Sequence, residues 1–246
     1  METFLNPLSK DEIEQAADKL YGLKSIYPKC MFIGIDPGIN GAIAGISSGG
    51  QLSFVYDMPK KQISLNEKST AINLAVGRFC EIIKGAADKG CLVAIEQAVP
   101  YRSENIKSLM TFGLECGAII AILETMGMNY SRVNVHEWHK IAKPSLCAKE
   151  PAYAELIKSG VKKAKAESVI AASKMYGTNV LYTQRGALKD GRADAILIAL
   201  YAYGISSGIK SENVWRVIWG DSTEGQKDVI PCELLANSKQ KECGEE

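Results

Sequence analysis

An aspartate stands inside the most strand-like stretch of this 246-residue chain. The segment FIGIDPGINGAIAGI, Phe32 to Ile46, holds two apolar runs, and Asp36 ends the first of them just before the turn signal PGIN. Buried strands ordinarily carry apolar side chains, because burying an unpaired carboxylate costs several kcal/mol. The position of Asp36 therefore predicts either an aspartate that begins a turn or a carboxylate with a compensating partner.

Short apolar runs and turn signals predict the order of elements around Asp36. MFIGID, GAIAGISS and QLSFVYDMP read as a three-strand meander, and a helical pattern follows over 67–89. CLVAIEQ, Cys91 to Gln97, reads as a buried strand, and a long helix is expected over 104–127. A further strand, a lysine-rich helical stretch and a final apolar helix, DGRADAILIALYAYG, complete the pattern. This order predicts an α/β fold in which helices cover a mixed sheet.

The length favours one domain with two extensions. We expect an N-terminal extension over 1–30 with a short amphipathic helix, a main domain over 31–220, and an acidic, disordered tail over 221–246. The main domain contains 22 Lys and Arg against 16 Asp and Glu, a surplus that permits a polyanionic partner. No apolar run is long enough to span a membrane and no signal or transit segment is evident, so a soluble, intracellular protein is expected.

The seven cysteines include no C-x-x-C pair. Several lie within apolar helix or strand patterns, which favours buried thiols of a reducing compartment over disulfides or zinc ligands. His136 and His139 in VHEWHK are three residues apart after a predicted strand, whereas a zinc-binding H-E-x-x-H motif needs a spacing of four on a helix. The sequence therefore favours no zinc site.

Three further acids stand in positions comparable with that of Asp36. Glu96 lies near the end of the run CLVAIEQ, and Asp190 and Asp194 open the last helical pattern. A spacing of four places these last two side chains on one helical face, one turn apart. Hard oxygen ligands suit Mg²⁺ or Mn²⁺, and two such ions about 3.5–4 Å apart assist phosphodiester hydrolysis. We therefore expect two Mg²⁺ or Mn²⁺ ions per active site. The candidate catalytic and metal-binding residues are Asp36, Glu96, Asp190 and Asp194.

Ordinary structural roles are open to three of these acids. Asp36 can begin a turn, Asp190 can cap the helix, and Glu96 can pair with a lysine. None of these roles accounts for Asp194, which precedes the apolar run AILIAL. The four acids together therefore favour metal-assisted phosphodiester hydrolysis.

The motifs resemble, in order, those of the RuvC family of Holliday-junction resolvases. They are FIGIDPGINGAIA, VAIEQ, VNVHEWHK and DGRADAILIALYAYG, and they span 31–204. The resemblance is nearest to the phage-type and plant-organellar branches. It implies an RNase H-like fold, in which a five-stranded sheet places its first and fourth strands side by side. It also implies a homodimer that nicks four-way DNA junctions symmetrically with Mg²⁺ or Mn²⁺.

The resemblance assigns the metal-binding roles to Asp36, Glu96 and Asp194. In the bacterial branch the last two catalytic positions are three residues apart, which here would select Gly191, a residue without a side-chain ligand. The DGRADA form of the phage-type and organellar branches places the first acid four residues earlier, which selects Asp190.

Basic and aromatic residues near these motifs are the candidates for DNA binding. After Glu96 the sequence continues QAVPYRSENIK, and in the family this region meets the junction centre, where an aromatic side chain can stack on a base. Lysines before the last helix would supply salt-dependent contacts with phosphates, although such residues also populate ordinary solvated surfaces. The candidates are Tyr101, Arg102, Lys107, Lys140, Lys143, Lys162, Lys163, Lys165 and Arg192.

Other interpretations remain open at this point. IDPGINGAIAGI also resembles the first phosphate loop of the actin and sugar-kinase ATPases, but their second loop and duplicated domain are not found in the sequence. A module that binds branched nucleic acid without cutting it, and another RNase H-like nuclease, are the remaining alternatives. The resolvase interpretation places the protein in the cytoplasm of a bacterial or phage-infected cell, ahead of an organellar matrix.

Overall fold

The computed structural model describes residues 29–66, 69–97 and 106–220. The predicted N-terminal helix and the acidic tail lie outside these residues, so the proposed division at 30 and 220 stays a prediction. Within the described part of the chain, no helix is both long and apolar enough to cross a membrane.

A five-stranded mixed sheet forms the centre of the fold. Its strands are β1 (Cys30–Asp36), β2 (Ala42–Ile46), β3 (Leu52–Asp57), β6 (Ala87–Glu96) and β7 (Asn129–Val133), in the spatial order β3-β2-β1-β6-β7. β1 pairs antiparallel with β2 and parallel with β6, and β7 continues the parallel part. The first and fourth strands of this sheet are thus neighbours, which confirms the predicted α/β fold with an RNase H-like strand order.

A two-stranded antiparallel sheet interrupts the predicted order between β3 and β6. It consists of β4 (Lys60–Asn66) and β5 (Ser69–Leu74), and helix α1 (Val76–Ala86) begins only after it. The prediction of a helix over 67–89 is therefore wrong outside α1. Within β4 the residues QISLN alternate polar and apolar with a period of two, and their antiparallel pairing with β5 makes 69–74 a strand instead of the start of a helix.

Helices cover both faces of the sheet. The helices that follow α1 are α2 (Ile106–Thr125), α3 (Val135–Trp138), α4 (Pro144–Cys147), α5 (Pro151–Lys158), α6 (Lys163–Tyr176), α7 (Asp190–Ser206) and α8 (Arg216–Trp219), with 3-10 turns at 139–142, 179–181 and 211–213. One core lies between the sheet and α6 and α7, and a second lies between the sheet and α1 and α2. The sheet is thus the middle of three layers.

Gly34 lets helix α7 lie directly on strand β1. A Cβ atom at this position would overlap the backbone of Ala195 and would lie 2.9 Å from the Cβ of Ala199. A helix normally stands farther from a sheet because side chains separate the two. The missing side chain therefore brings the first turns of α7, and the acids that they carry, close to the end of β1.

Candidate functional site

The ends of two parallel strands bring Asp36 and Glu96 together. The register pairs Ile35 with Ile95, and each acid is the next residue and the last of its strand. Because neighbouring parallel strands end at the same edge of a sheet, the two carboxylates lie side by side at this edge. Both residues are partly buried.

Helix α7 carries Asp190 and Asp194 to the same edge. Asp190 is the first residue of the helix, and its Oδ1 accepts a hydrogen bond of 3.1 Å from the backbone N–H of Gly191. The side chain of Asp194 is 5% exposed, whereas that of Asp190 is 46% exposed. The two acids therefore share a helical face but differ in environment, one buried beneath the helix and the other at its rim.

Gly191 forms the contact between α7 and the strand end. A Cβ atom here would overlap the carbonyl oxygen of Asn40, and it would lie 3.0 Å from the Cα of Gly41 and 3.1 Å from Oδ2 of Asp36. The turn after β1 and the first turn of α7 are thus packed against each other. A glycine at this position serves close packing, and the acid stands one residue earlier, at Asp190.

Like charges raise the pKa values of the strand-end carboxylates. Burial, followed by repulsion from Asp194, raises the pKa of Glu96 to about 7, although attraction to Lys165 partly offsets the rise. Burial and the charge of Asp194 also hold the pKa of Asp36 well above its ordinary value, with smaller contributions from Glu96 and Asp190. These mutual effects place the four carboxylates in one electrostatic cluster, the carboxylate cluster.

Lys165 is the basic partner of the carboxylate cluster. It lies in the first turn of α6, and its Nζ forms an ion pair with Oδ2 of Asp194 and lies 3.7 Å from Oδ2 of Asp190. Burial lowers the pKa of Lys165, but attraction to Asp194 and Asp36 outweighs burial and raises it above its ordinary value. The sequence assigned this lysine to DNA binding and contained no signal for the ion pair, because its partner is 29 residues away.

Oδ1 of Asp194 is buried without a hydrogen-bond partner in the described structure, as is the indole Nε1 of Trp138 near Glu96. An unpartnered buried carboxylate oxygen is a candidate ligand for a hard cation. The donor set of carboxylate oxygens thus suits Mg²⁺ or Mn²⁺. In the described residues, however, no three His, Cys, Asp or Glu side chains are already arranged around one position for a metal ion.

Another buried acid, Glu115, supports the turn that follows Asp36. It lies on α2, is 8% exposed, and its carboxylate lies within 4.0 Å of the Cβ position of Gly38. Burial raises its pKa, while the nearby Lys60 and the backbone N–H of Ile39 lower it. The sequence placed Glu115 within an apolar helical run and gave no signal for this contact.

The predicted DNA-binding residues have different environments. Tyr101 and Arg102 lie outside the described residues, and Lys107 lies in the first turn of α2. Lys162 and Lys163 are exposed at the N-terminal end of α6, next to the carboxylate cluster. Their role in DNA binding stays a prediction.

Three other predicted DNA-binding residues already have partners within the protein. Arg192 donates to Oδ1 of Asp57 at 2.7 Å and also donates to two backbone carbonyls. Lys140 pairs with Glu137 at 2.8 Å, and the Nζ of Lys143 lies 4.7 Å from the centre of the Trp215 ring. Contacts of these side chains with DNA would replace or extend these interactions.

The sequence matches no protein-family model and no curated protein. The solved structures that are similar to the chain include two in which the alignment covers 72% of this chain and 95% of the other. One is Thermus thermophilus RuvC in complex with a Holliday junction substrate, with 15% identity and a TM-score of 0.37. The other is Thermus thermophilus RuvC, with 18% identity and a TM-score of 0.37. At this TM-score, the similarities add nothing to what the strand order of this chain establishes.

Proposed function

We propose that this chain is an endonuclease that uses Mg²⁺ or Mn²⁺ to cut four-way DNA junctions, and that it acts as a homodimer. The observation that carries the proposal is the carboxylate cluster, in which Asp194 is buried with one oxygen unpartnered beside Asp36 and Glu96. Like charges gathered at the edge of a core are costly unless a cation compensates them. Together with the order of motifs in the sequence, this cost favours a metal-dependent nuclease.

The proposed roles follow from the position of each residue. Asp36, Glu96 and Asp194 would hold the metal ion, and Asp190, at the exposed rim, would complete the ligand set. When bound, a divalent cation would polarise the phosphate and lower the pKa of an attacking water. Gly191 and Glu115 support the backbone that orients Asp36. Lys162 and Lys163 would attract phosphates to the open side of the cluster.

An exposed apolar stripe on α2 supports the proposal of a homodimer. Met110 is 64% exposed and Leu114, one turn later, is 73% exposed. A Cβ atom at Gly113 or Gly117 would meet nothing within 4 Å. An apolar helical face with small residues allows close approach of a second helix, so we expect Leu114→Arg to convert a dimer into a monomer in light scattering. A wild-type mass of one chain at micromolar concentration would contradict the dimer.

Cleavage of a labelled four-way junction tests the proposed activity. The purified protein is incubated with the junction and with linear duplex of the same sequence, in Mg²⁺, in Mn²⁺ and in EDTA. We expect paired nicks near the junction centre that need the metal and are missing from linear duplex. Junction binding without any product would instead indicate a binding module. Equal cutting of both substrates would indicate a less selective nuclease.

A further inference from the structure

Lys165 is in direct contact with the carboxylate cluster. Its ammonium group contacts Asp194 and lies 3.7 Å from Asp190, and its side chain is 37% exposed, so it reaches from the surface into the cluster. In the described residues it is the basic side chain that pairs with Asp194. The ammonium therefore lies where a divalent cation would bind the same oxygens.

The location of Lys165 is unfavourable for its own helix. The N-terminal end of a helix carries a partial positive charge, and a lysine in the first turn opposes it. Helix α6 has no acid in its first turn, and Lys162 at its N-cap makes no side-chain capping hydrogen bond. Attraction to the acids of α7 offsets this cost, which links the lysine to the charge of the cluster rather than to the stability of α6.

We propose that Lys165 is an internal counter-ion, which neutralises the carboxylate cluster in the absence of metal and is displaced when a divalent cation binds. One ammonium group cannot satisfy the cluster completely, since Oδ1 of Asp194 stays unpartnered. The inference rests on the proposed function only in requiring that this site bind a divalent cation.

Displacement has a measurable consequence for metal affinity. A bound cation must compete with the ammonium for the oxygens of Asp194 and must separate an existing ion pair. Removal of the ammonium removes this competition, whereas removal of a lysine that merely lies nearby changes only the surrounding charge. Lys163 is the matched control, because it stands two residues earlier on the same helix end and is exposed.

Calorimetric titration with Mn²⁺ compares the wild type with Lys165→Met and Lys163→Met. Methionine keeps the apolar length of the lysine stem without its charge. We expect Lys165→Met to bind Mn²⁺ at least about tenfold more tightly than the wild type. Lys163→Met should show a much smaller change. Affinity that is unchanged or weaker in Lys165→Met would overturn the inference, as would equal gains in the two variants.

Thermal denaturation separates the counter-ion role from a structural one. In EDTA, we expect Lys165→Met to have a lower Tm than the wild type, because the buried carboxylates lose their partner. Saturating Mn²⁺ should remove this difference. A deficit that persists in Mn²⁺ would show that the lysine stabilises the fold itself and would also overturn the inference.

Cleavage measured on the same samples distinguishes this inference from the proposed function. Tighter Mn²⁺ binding by Lys165→Met, with no junction cleavage by the wild type, would reject the nuclease and leave the counter-ion role standing. Cleavage by the wild type, with no gain in Mn²⁺ affinity for Lys165→Met, would reject the counter-ion role and leave the proposed nuclease activity standing.

Discussion

The two ends of the β1–β6 strand pair carry different chemistry. Near one end lie the thiols of Cys30 and Cys91, 2% and 3% exposed, and at the other end lie the carboxylates of Asp36 and Glu96. A neutral thiol behaves as a small apolar group, so its burial needs only packing. Buried carboxylates need a counter-charge, and a lysine from a distant helix supplies it.

The comparison teaches that burial alone does not mark a functional site. Contact with Cys91 and burial raise the pKa of Cys30, which keeps that thiol neutral. At the other end, the electrostatic cost of the four acids remains only partly compensated. A cost that the fold does not fully offset is a feature typical of functional sites.

The largest expected effect is on cleavage by Asp36→Asn. Loss of the charge should reduce the junction-cleavage rate by at least about a hundredfold, because even residues that merely orient metal ligands contribute that much. The metal-free protein should stay folded, since the substitution removes repulsion within the cluster. Single-turnover kinetics and circular dichroism measure the two effects. Retained cleavage in Asp36→Asn would contradict a catalytic role for the strand end that carries Asp36 and Glu96.

Gly191→Ala is expected to lower both the stability of the fold and the cleavage rate, with a smaller effect on cleavage than Asp36→Asn. The added Cβ would collide with the turn after β1, at 3.0 Å from Gly41 and closer still to Asn40. Overpacking of this kind costs about 1–3 kcal/mol, and the displaced turn should also lower cleavage. Gly77→Ala on α1 is the control, because its Cβ would meet nothing within 4 Å. Equal stability of both variants in urea denaturation would refute the close contact.

The carboxylates at the end of the β1–β6 strand pair should also make the free energy of unfolding of the metal-free protein depend on pH. Glu96 has a pKa raised from 4.5 to about 7 in the folded state, so the folded protein binds a proton that the unfolded chain releases. This contribution to the free energy of unfolding is present at low pH and is lost as the pH rises through that interval. Denaturation in EDTA should therefore show a steeper loss of stability between pH 5 and pH 7 for the wild type than for Glu96→Gln. Identical slopes would contradict the raised pKa.

The smallest effect on cleavage is expected from a substitution at the other end of the strand pair, near Cys30 and Cys91. Cys30→Ala should cost about 1 kcal/mol of stability through lost packing and leave junction cleavage unchanged. The thiol donates only a weak hydrogen bond of 3.6 Å to the carbonyl of Ala86. Cleavage and urea denaturation of this variant beside Asp36→Asn give the direct contrast between the ends. A loss of cleavage without a loss of stability in Cys30→Ala would contradict a purely structural role for Cys30.

The strand ends and the last helix could be predicted because their signals are local. Apolar runs predicted that Asp36 and Glu96 each lie at the end of a strand, and the spacing of four placed Asp190 and Asp194 on one helical face. That the two strands are neighbours followed only from the family resemblance, and the register of β1 with β6 agrees with it. The strand β6 nevertheless begins at Ala87, before the predicted Cys91, because a polar segment joins the sheet through an irregular register.

The compensating contacts could not be predicted because they join distant parts of the chain. Lys165 and Asp194 are 29 residues apart, and Arg192 and Asp57 are 135 apart. In the sequence, each of these bases belongs to an ordinary charged stretch. Only the packing of α6 and α7 against the sheet determines which acids these bases meet. The candidate ligands could therefore be predicted from the sequence, but their electrostatic environment could not.

The most direct test of the carboxylate cluster as a metal site is an anomalous difference map from crystals of the wild-type protein soaked in Mn²⁺. The account predicts a peak bounded by Asp36, Glu96 and Asp194, with the ammonium of Lys165 moved away from Asp194. A map without a peak there, at an Mn²⁺ concentration that supports junction cleavage, would contradict the central claim.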